Sequence, residues 1–261
     1  MKIRSNGIEL NCEVQGSGPW VVLSHSLACD LHMWDEQAAL LAGDHTVLRF
    51  DTRGHGGSDA PAEEYSLEML ADDAKGLLDA LGVGSCHWVG LSMGGMIGQT
   101  FALRHPGVLK TLVLADTTSR YPPEARTLWE ARIATAETRG MEPLVEGTLA
   151  RWFTAGFCVA RRDVCDRVAA MIRATPPAGY AGCCHAIPKI DLTARLKEIT
   201  CPALVIVGDQ DAGTPVDMAR EIHAALPGSA LVIIPSASHL SNLEQPEAFN
   251  QTLARFLAQH R

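Results

Sequence analysis

Short apolar runs rich in β-branched residues recur along the chain and alternate with stretches of helical spacing. Their near-continuous hydrophobicity is typical of parallel strands that are buried on both faces of a sheet. One further run, IELNCEV (8–14), alternates apolar and polar residues, which predicts a hairpin at the edge of that sheet. The sequence therefore predicts an α/β fold with a mostly parallel sheet covered by helices. The six apolar runs are VVLSH (21–25), TVLRFD (46–51), HWVGL (87–91), TLVLAD (111–116), ALVIVGD (203–209) and ALVIIP (230–235).

Apolar residues spaced three and four positions apart predict helices between these strands. Residues 66–81 carry leucine and alanine at this spacing, and Gly82 follows them as a helix stop. A second helix is predicted over residues 93–104, and a third over residues 246–259. Each follows a predicted strand, as the alternation of strands and helices in an α/β fold requires.

The stretch of residues 118–190 departs from this alternation, because it contains helical segments but no convincing buried strand. We interpret it as a helical lid inserted over the carboxyl edge of the sheet, where α/β folds place their sites. The core is then predicted to consist of residues 1–117 and 191–261. Prolines mark the entry, an internal break and the exit of the insert: Pro122, Pro123, Pro176, Pro177 and Pro188.

Composition and charge indicate which classes of partner this chain is not expected to bind. The chain has 22 basic and 30 acidic residues, a net charge of −8, and no basic run, which argues against a nucleic-acid partner. No stretch reaches the roughly 18 apolar residues of a membrane span, and the start of the sequence does not resemble a signal peptide. We therefore expect a cytoplasmic protein that binds neither membranes nor nucleic acid.

The eight cysteines are scattered along the chain and lack the paired CxxC spacing of a zinc site. Without a secretory signal, a disulfide framework is not expected either. We predict free thiols, including the adjacent Cys183 and Cys184, and no metal site.

The pentapeptide Gly90-Leu91-Ser92-Met93-Gly94 has the form GxSxG. It directly follows the predicted strand HWVGL and opens a predicted helix, which is the strand–turn–helix context of a nucleophile elbow. A sharp turn there exposes the serine hydroxyl, and larger side chains at either glycine would collide. Ser92 is therefore the predicted nucleophile.

A serine hydroxyl needs a base to remove its proton, and the base needs an acid to orient it. His239 follows the strand ALVIIP on a small polar loop and is the predicted base. The acid should end a strand between the two residues, where GDQDAGTP supplies Asp211 and Asp209. We prefer Asp211, because Thr214 and Pro215 look like the N-cap and first turn of the next helix. Asp209 is the runner-up, and Asp116 is a more distant alternative.

Acyl transfer also needs donors for the developing oxyanion. The backbone N–H of Met93 follows the nucleophile and is one predicted donor. The second should come from the loop after VVLSH, where Leu27 is the best placed residue. This chemistry requires neither a metal nor a cofactor.

Several longer segments, one of which contains the pentapeptide, resemble the sequences of a known family. The sequence resembles the α/β-hydrolase family over nearly its whole length, and within it the 3-oxoadipate enol-lactonases of bacterial aromatic catabolism. The resemblance implies an eight-stranded sheet, hydrolysis of a small enol-lactone, and a triad of Ser92, Asp211 and His239. Ser26 departs from the wider family, where many members have glycine after the histidine. The segments that carry the resemblance are HSLACDLHMW, RFDTRGHGGSDAP, GLSMGGMIGQ, RWFTAGF and SHLSNLEQPEAF.

Such a lactone keeps one free carboxylate, so its pocket should offer a cation. Arg151, beside Trp152 and Phe153, is the first choice among four candidate arginines of the lid, although a solvated surface arginine is an equally open interpretation of it. The other candidates are Arg132, Arg161 and Arg162. Trp34, Trp129 and Trp152 are predicted to line an apolar wall, although tryptophans in this fold are as often part of the core.

Other activities remain open at this point. Relatives that share the same core include short-chain carboxylesterases and cofactor-free perhydrolases, and a hydrolase-fold signal receptor is a more distant alternative. Dehalogenases and epoxide hydrolases are disfavoured, because they use aspartate where this chain has Ser92. The sequence does not specify an oligomeric state.

Overall fold

Eight strands form a single sheet in the computed structural model, which describes residues 1–260. The sheet order is β1-β2-β4-β3-β5-β6-β7-β8, and the strands from β3 to β8 run parallel. The predicted fold, an eight-stranded and mostly parallel sheet, is confirmed. The strands are β1 (Lys2–Ser5), β2 (Ile8–Gly16), β3 (Trp20–Ser24), β4 (Thr46–Phe50), β5 (Cys86–Leu91), β6 (Leu109–Ala115), β7 (Ala203–Gly208) and β8 (Ala230–Ile234).

The two edges of the sheet differ from its centre. The alternating run becomes β2, which pairs antiparallel with β1 and with β4, so the predicted edge hairpin is present. β5 and β7 are buried at every residue, as their hydrophobicity predicts. β8 is not buried on both faces, because it forms the other edge, and Ile233 is 39% exposed.

Helices fill the connections between strands. Ser66 caps α2 by accepting a hydrogen bond from Met69 N, and the predicted helices at 66–81 and 93–104 are found within one residue of their expected bounds. The last helix begins at Pro246, as predicted. The helices are α1 (Asp35–Leu41), α2 (Leu67–Ala80), α3 (Met93–Arg104), α4 (Ala125–Arg139), α5 (Glu142–Trp152), α6 (Phe157–Ala160), α7 (Arg162–Ala174), α8 (Pro177–Ala186), α9 (Val216–Ala225), α10 (Ser241–Glu244) and α11 (Pro246–Ala258).

The insert, residues 118–190, leaves the sheet after β6 and returns before β7. It contains α4 to α8 and contributes no strand to the sheet. Its two ends lie side by side: Arg120 and Asp191 form an isolated antiparallel bridge, and Leu192 N donates to Ser119 O at 2.8 Å. The two chain connections between the sheet and the insert therefore form one narrow base.

The cysteines differ from the prediction at one pair. Cys158 and Cys165, on α6 and α7, form a disulfide with Cα atoms 5.5 Å apart, because the short α6 folds back onto α7. Cys183 and Cys184 are unpaired, as are four other cysteines. No helix within residues 1–260 is long and apolar enough to cross a membrane.

Candidate active site

Ser92 lies in the tight turn between β5 and α3. Its φ of 54° is in the left-handed region, a strained conformation that tilts the side chain out of the turn. A Cβ on Gly90 would collide with the carbonyl of Gly94, and one on Gly94 with the carbonyl of Ser24. Both glycines of GxSxG are thus required by close backbone approach.

Ser92, His239 and Asp211 form a continuous chain of hydrogen bonds. Ser92 Oγ lies 2.9 Å from His239 Nε2, and His239 Nδ1 lies 2.9 Å from Asp211 Oδ2. A carboxylate only accepts, so Nδ1 carries the proton and Nε2 is free to accept from the Ser92 hydroxyl. The three side chains are arranged for proton transfer from serine to histidine.

The other two acids do not contact His239. Asp209 is exposed, and its carboxylate accepts from Ala237 N at 3.3 Å. Asp116 is buried and accepts from Gly208 N at 2.8 Å and from Ser241 Oγ at 2.5 Å. Burial and the nearby charge of Asp211 raise the pKa of Asp116 to about 8. Of the three acids, only Asp211 is placed to orient the base.

Asp211 is held by its own loop. Its Oδ1 accepts from Gly213 N at 2.7 Å and Thr214 N at 2.9 Å, while its Oδ2 accepts from Thr214 Oγ1 at 2.7 Å. Burial opposes ionisation, but the charge of His239 and these donors outweigh it and lower the pKa of Asp211. The predicted cap at Thr214 is wrong by one residue, since Pro215 precedes α9 and Thr214 instead bonds to Asp211.

Proton transfer from Ser92 to His239, and any reaction that depends on it, should slow as the pH drops through the pKa of His239. Burial lowers this pKa, but the Asp211 carboxylate raises it further, leaving it above the ordinary 6.5. Because only neutral imidazole accepts the serine proton, we expect the acid limb of a kcat/KM–pH profile to have its midpoint above pH 6.5. In Asp211→Asn the limb should move to lower pH. A midpoint below 6.5 in the wild type, or one that Asp211→Asn leaves in place, would contradict this assignment.

The loop after β3 is fixed by two buried histidines. His25 Nδ1 donates to Ser26 O at 2.7 Å, and its Nε2 accepts from Thr52 N at 2.9 Å. His55 Nε2 accepts from Ala28 N at 2.9 Å, where Ala28 has a φ of 58°. Burial lowers the pKa of both rings, that of His55 to about 3, so both are neutral. The neutral rings hold the loop on either side of Leu27.

The backbone amides of Leu27 and Met93 are the two donors that the sequence predicts for an oxyanion. Within residues 1–260, neither Leu27 N nor Met93 N donates a hydrogen bond. Met93 is the first residue of α3, where an N–H has no acceptor within the helix. Leu27 lines the same cavity as Ser92. Leu27 N is therefore placed to donate to a ligand in this cavity, and Met93 N has no acceptor within the described residues.

A cavity of about 130 Å³ opens onto Ser92 and His239. The loop after β3 supplies Ser26 and Leu27, and the loop after β7 supplies Ala212 and Gly213. The insert supplies most of the opposite wall, so a molecule at Ser92 would contact both parts of the chain. The lining residues from the insert are Tyr121, Ala125, Leu128, Trp129, Arg132, Arg151, Trp152 and Ile187.

The cavity wall contains two arginines, Arg132 and Arg151. Within residues 1–260 neither Arg132 nor Arg151 forms a salt bridge. The Arg132 guanidinium lies 4.6 Å over the Trp129 ring, and Arg151 donates to Thr148 Oγ1 at 3.3 Å. Burial, together with the charge of Arg132, lowers the pKa of Arg151. These unpaired charges make this wall suited to an anion.

Other predicted binding residues lie elsewhere. Trp34 is fully buried in the core, with its ring 6.1 Å from that of Phe249, so the prediction that it lines the cavity is wrong. Trp129 and Trp152 do line it. Arg161 and Arg162 are exposed and pair with neighbouring aspartates of their own segment, so they are not in the cavity.

Comparison with known proteins bears on this geometry. A family model described as the alpha/beta hydrolase fold matches residues 19–246. The chain belongs to the α/β-hydrolase family. Other α/β hydrolases of similar sequence therefore indicate which reactions this site could catalyse.

Three relatives cover nearly the whole chain. The crystal structure of the enol-lactonase from Burkholderia xenovorans LB400 is 38% identical, with a TM-score of 0.95, over 99% of this α/β hydrolase and 100% of that chain. The 3-oxoadipate enol-lactonase 2 of Acinetobacter baylyi is 34% identical over 92% of this chain and 88% of its own. RutD of Pseudomonas savastanoi pv. phaseolicola, a candidate carbamate hydrolase, is 30% identical over 92% of this chain and 94% of its own.

A buried glutamate, Glu244, joins the His239 loop of this α/β hydrolase to its insert. The sequence pattern alone does not indicate this role. Glu244 accepts from Ser238 N at 2.7 Å and from Thr154 N at 2.8 Å. Leu240 N also donates to Trp152 O at 3.2 Å. Glu244 follows His239 by five residues, and no local pattern in this segment indicates its contact with the insert, which forms only in the folded chain.

Proposed function

We propose that this chain is a serine hydrolase that opens a small enol-lactone bearing a free carboxylate, such as 3-oxoadipate enol-lactone. The observation that carries the proposal is the position of two guanidiniums, Arg132 and Arg151, in the same small cavity as Ser92, where neither forms a salt bridge with any residue that the structure describes. Enol-lactonases among the relatives support it. A lactone with one free carboxylate would place that carboxylate at Arg132 and Arg151 and its ring carbonyl near Ser92.

In the proposed reaction, His239 Nε2 removes the proton from Ser92 Oγ as that oxygen attacks the lactone carbonyl. The amides of Leu27 and Met93 hold the oxyanion. Collapse of the tetrahedral intermediate breaks the ring C–O bond, and the enol oxygen takes the proton from His239. The opened product remains attached to Ser92 as an acyl-enzyme. Water activated by His239 then releases it, and Asp211 keeps the imidazole oriented throughout.

The insert acts as a lid in this proposal. Its tryptophans, Trp129 and Trp152, form an apolar wall, and the Trp152 ring stacks near His239 with centroids 6.1 Å apart. A site closed by this wall excludes water from the arginines and strengthens their attraction for a carboxylate.

A substrate panel tests the proposal. We expect kcat/KM for 3-oxoadipate enol-lactone to exceed that for p-nitrophenyl acetate, and both activities to vanish in Ser92→Ala. A preference for the ester would overturn the lactonase assignment in favour of a carboxylesterase. A small carbamate belongs in the same panel, because the similarity to RutD makes carbamate hydrolysis the second candidate.

Removing one cavity arginine should affect anionic substrates selectively. A charge-assisted hydrogen bond contributes about 1.5–3 kcal/mol, so Arg151→Gln should lower kcat/KM for the enol-lactone by about 10- to 100-fold. Hydrolysis of neutral p-nitrophenyl acetate should change by less than about threefold. Arg162→Gln is the matched control, since Arg162 belongs to the same insert but is exposed. Equal losses on both substrates would argue against carboxylate binding by Arg151.

A further inference from the structure

The hydroxyl of Ser26, a residue that lines the cavity at Ser92, is buried and has no hydrogen-bond partner among the residues that the structure describes. Ser26 is 0% exposed and lines the same cavity as Ser92. Within residues 1–260 its Oγ has neither a donor nor an acceptor in contact. An unpaired buried hydroxyl is costly, and glycine or alanine at this position would avoid that cost.

The backbone N–H and C=O of Ser26, by contrast, both form hydrogen bonds. Ser26 N donates to Met33 Sδ at 3.2 Å, and Ser26 O accepts from His25 Nδ1 at 2.7 Å and from Cys29 N at 3.1 Å. These backbone contacts hold the Cα and Cβ of Ser26 in place, so the hydroxyl is not needed to stabilise the loop. The next residue, Leu27, carries the unpaired amide of the proposed oxyanion site.

We infer that Ser26 Oγ is a third donor to the substrate oxyanion, beside the amides of Leu27 and Met93. This inference rests on the proposed acyl-transfer reaction at Ser92. The carbonyl oxygen of a lactone or ester gains negative charge when Ser92 attacks, and Ser26 then donates its O–H to that oxygen. The hydroxyl keeps its proton throughout, so no extra proton acceptor is needed. An ester or lactone carbonyl supplies the acceptor that the free protein lacks.

Ser24 provides a matched comparison two residues earlier. Its hydroxyl is also buried and unpaired in the described part of the chain, and its relative exposure is likewise 0%. Unlike Ser26, Ser24 does not line the cavity at Ser92. Within the described residues the two serines therefore share burial and the lack of a partner, and they differ in whether the residue lines the cavity at Ser92.

The test compares Ser26→Ala with Ser24→Ala, using p-nitrophenyl acetate and the enol-lactone as substrates. Because a preorganised oxyanion donor contributes mainly in the transition state, Ser26→Ala should lower kcat by about 10- to 100-fold and change KM little. The affinity for an alkyl trifluoromethyl ketone, which forms a tetrahedral oxyanion adduct with an active-site serine, should fall by a similar factor. Ser24→Ala should stay within about twofold of wild type in both measurements.

Two results would overturn the inference while the wild type remains active. One is an unchanged kcat and ketone affinity in Ser26→Ala. The other is a loss of kcat without a loss of ketone affinity, which would indicate a structural effect; Ser26→Gly repeats the measurement if the alanine variant is unstable. If the wild type itself hydrolyses neither substrate, or Ser92→Ala retains full activity, the proposed function fails instead.

Discussion

Replacing Ser92 with alanine should lower kcat/KM for lactone and ester substrates by about 10⁴-fold or more. His239 Nε2 lies 2.9 Å from Ser92 Oγ, and alanine leaves that base with no hydroxyl to deprotonate. The residual rate would come from the oxyanion amides and from binding alone. The fold should be retained, because within residues 1–260 Ser92 Oγ bonds to His239 alone and alanine fits the same turn.

Covalent labelling checks the same residue independently. A fluorophosphonate should add one label to the intact wild-type protein, located on the peptide that contains Ser92, and should not label Ser92→Ala. Thermal unfolding midpoints should agree between the two proteins. Activity of the purified variant within about tenfold of wild type, or labelling that persists, would remove Ser92 from the mechanism.

Asp211→Asn should lower kcat/KM by about 10³- to 10⁴-fold. The carboxylate accepts from His239 Nδ1 at 2.9 Å, whereas an amide nitrogen at that position would donate and favour the tautomer with the proton on Nε2. In that tautomer, His239 cannot accept the proton of Ser92. The loss should appear in kcat for the lactone and for p-nitrophenyl acetate alike, because it affects the chemistry common to both.

Asp209→Asn is the matched control for this substitution. Asp209 lies two residues earlier on the same loop and is exposed, and its contact with Ala237 N at 3.3 Å can be kept by an amide oxygen. We expect kcat/KM within about twofold of wild type. If the two variants exchanged behaviour, Asp209 would be the triad acid and the loop would have to rearrange.

The site could be predicted as far as local signals reach. Strong hydrophobic runs fixed β5 and β7, and the turn residues around Ser92 indicated an elbow without any tertiary information. The choice of Asp211 agrees with the observed geometry, although the reason differs. Thr214 was expected to cap a helix, and it instead donates to the Asp211 carboxylate.

Features that depend on distant partners were not predictable. Nothing in the local sequence distinguishes Trp34 from Trp129. Packing against Phe249 places Trp34 in the core. Edge position, which the apolar run of β8 does not encode, leaves Ile233 exposed. The pairing of Cys158 with Cys165 depends on how α6 folds back on α7. In each case the deciding contact is set by the fold rather than by the local pattern.

The narrow base of the insert has a consequence for the evolution of such enzymes. Because Ser119 and Leu192 meet through a hydrogen bond of 2.8 Å, a cap of different length or sequence could be joined here without moving the strand ends that carry Ser92 and Asp211, provided that it keeps the contacts of the present insert with the His239 loop. Recognition of the molecule to be cleaved can then diverge while the cleaving groups are inherited unchanged. Exchanging this module between homologues is a direct way to transplant selectivity.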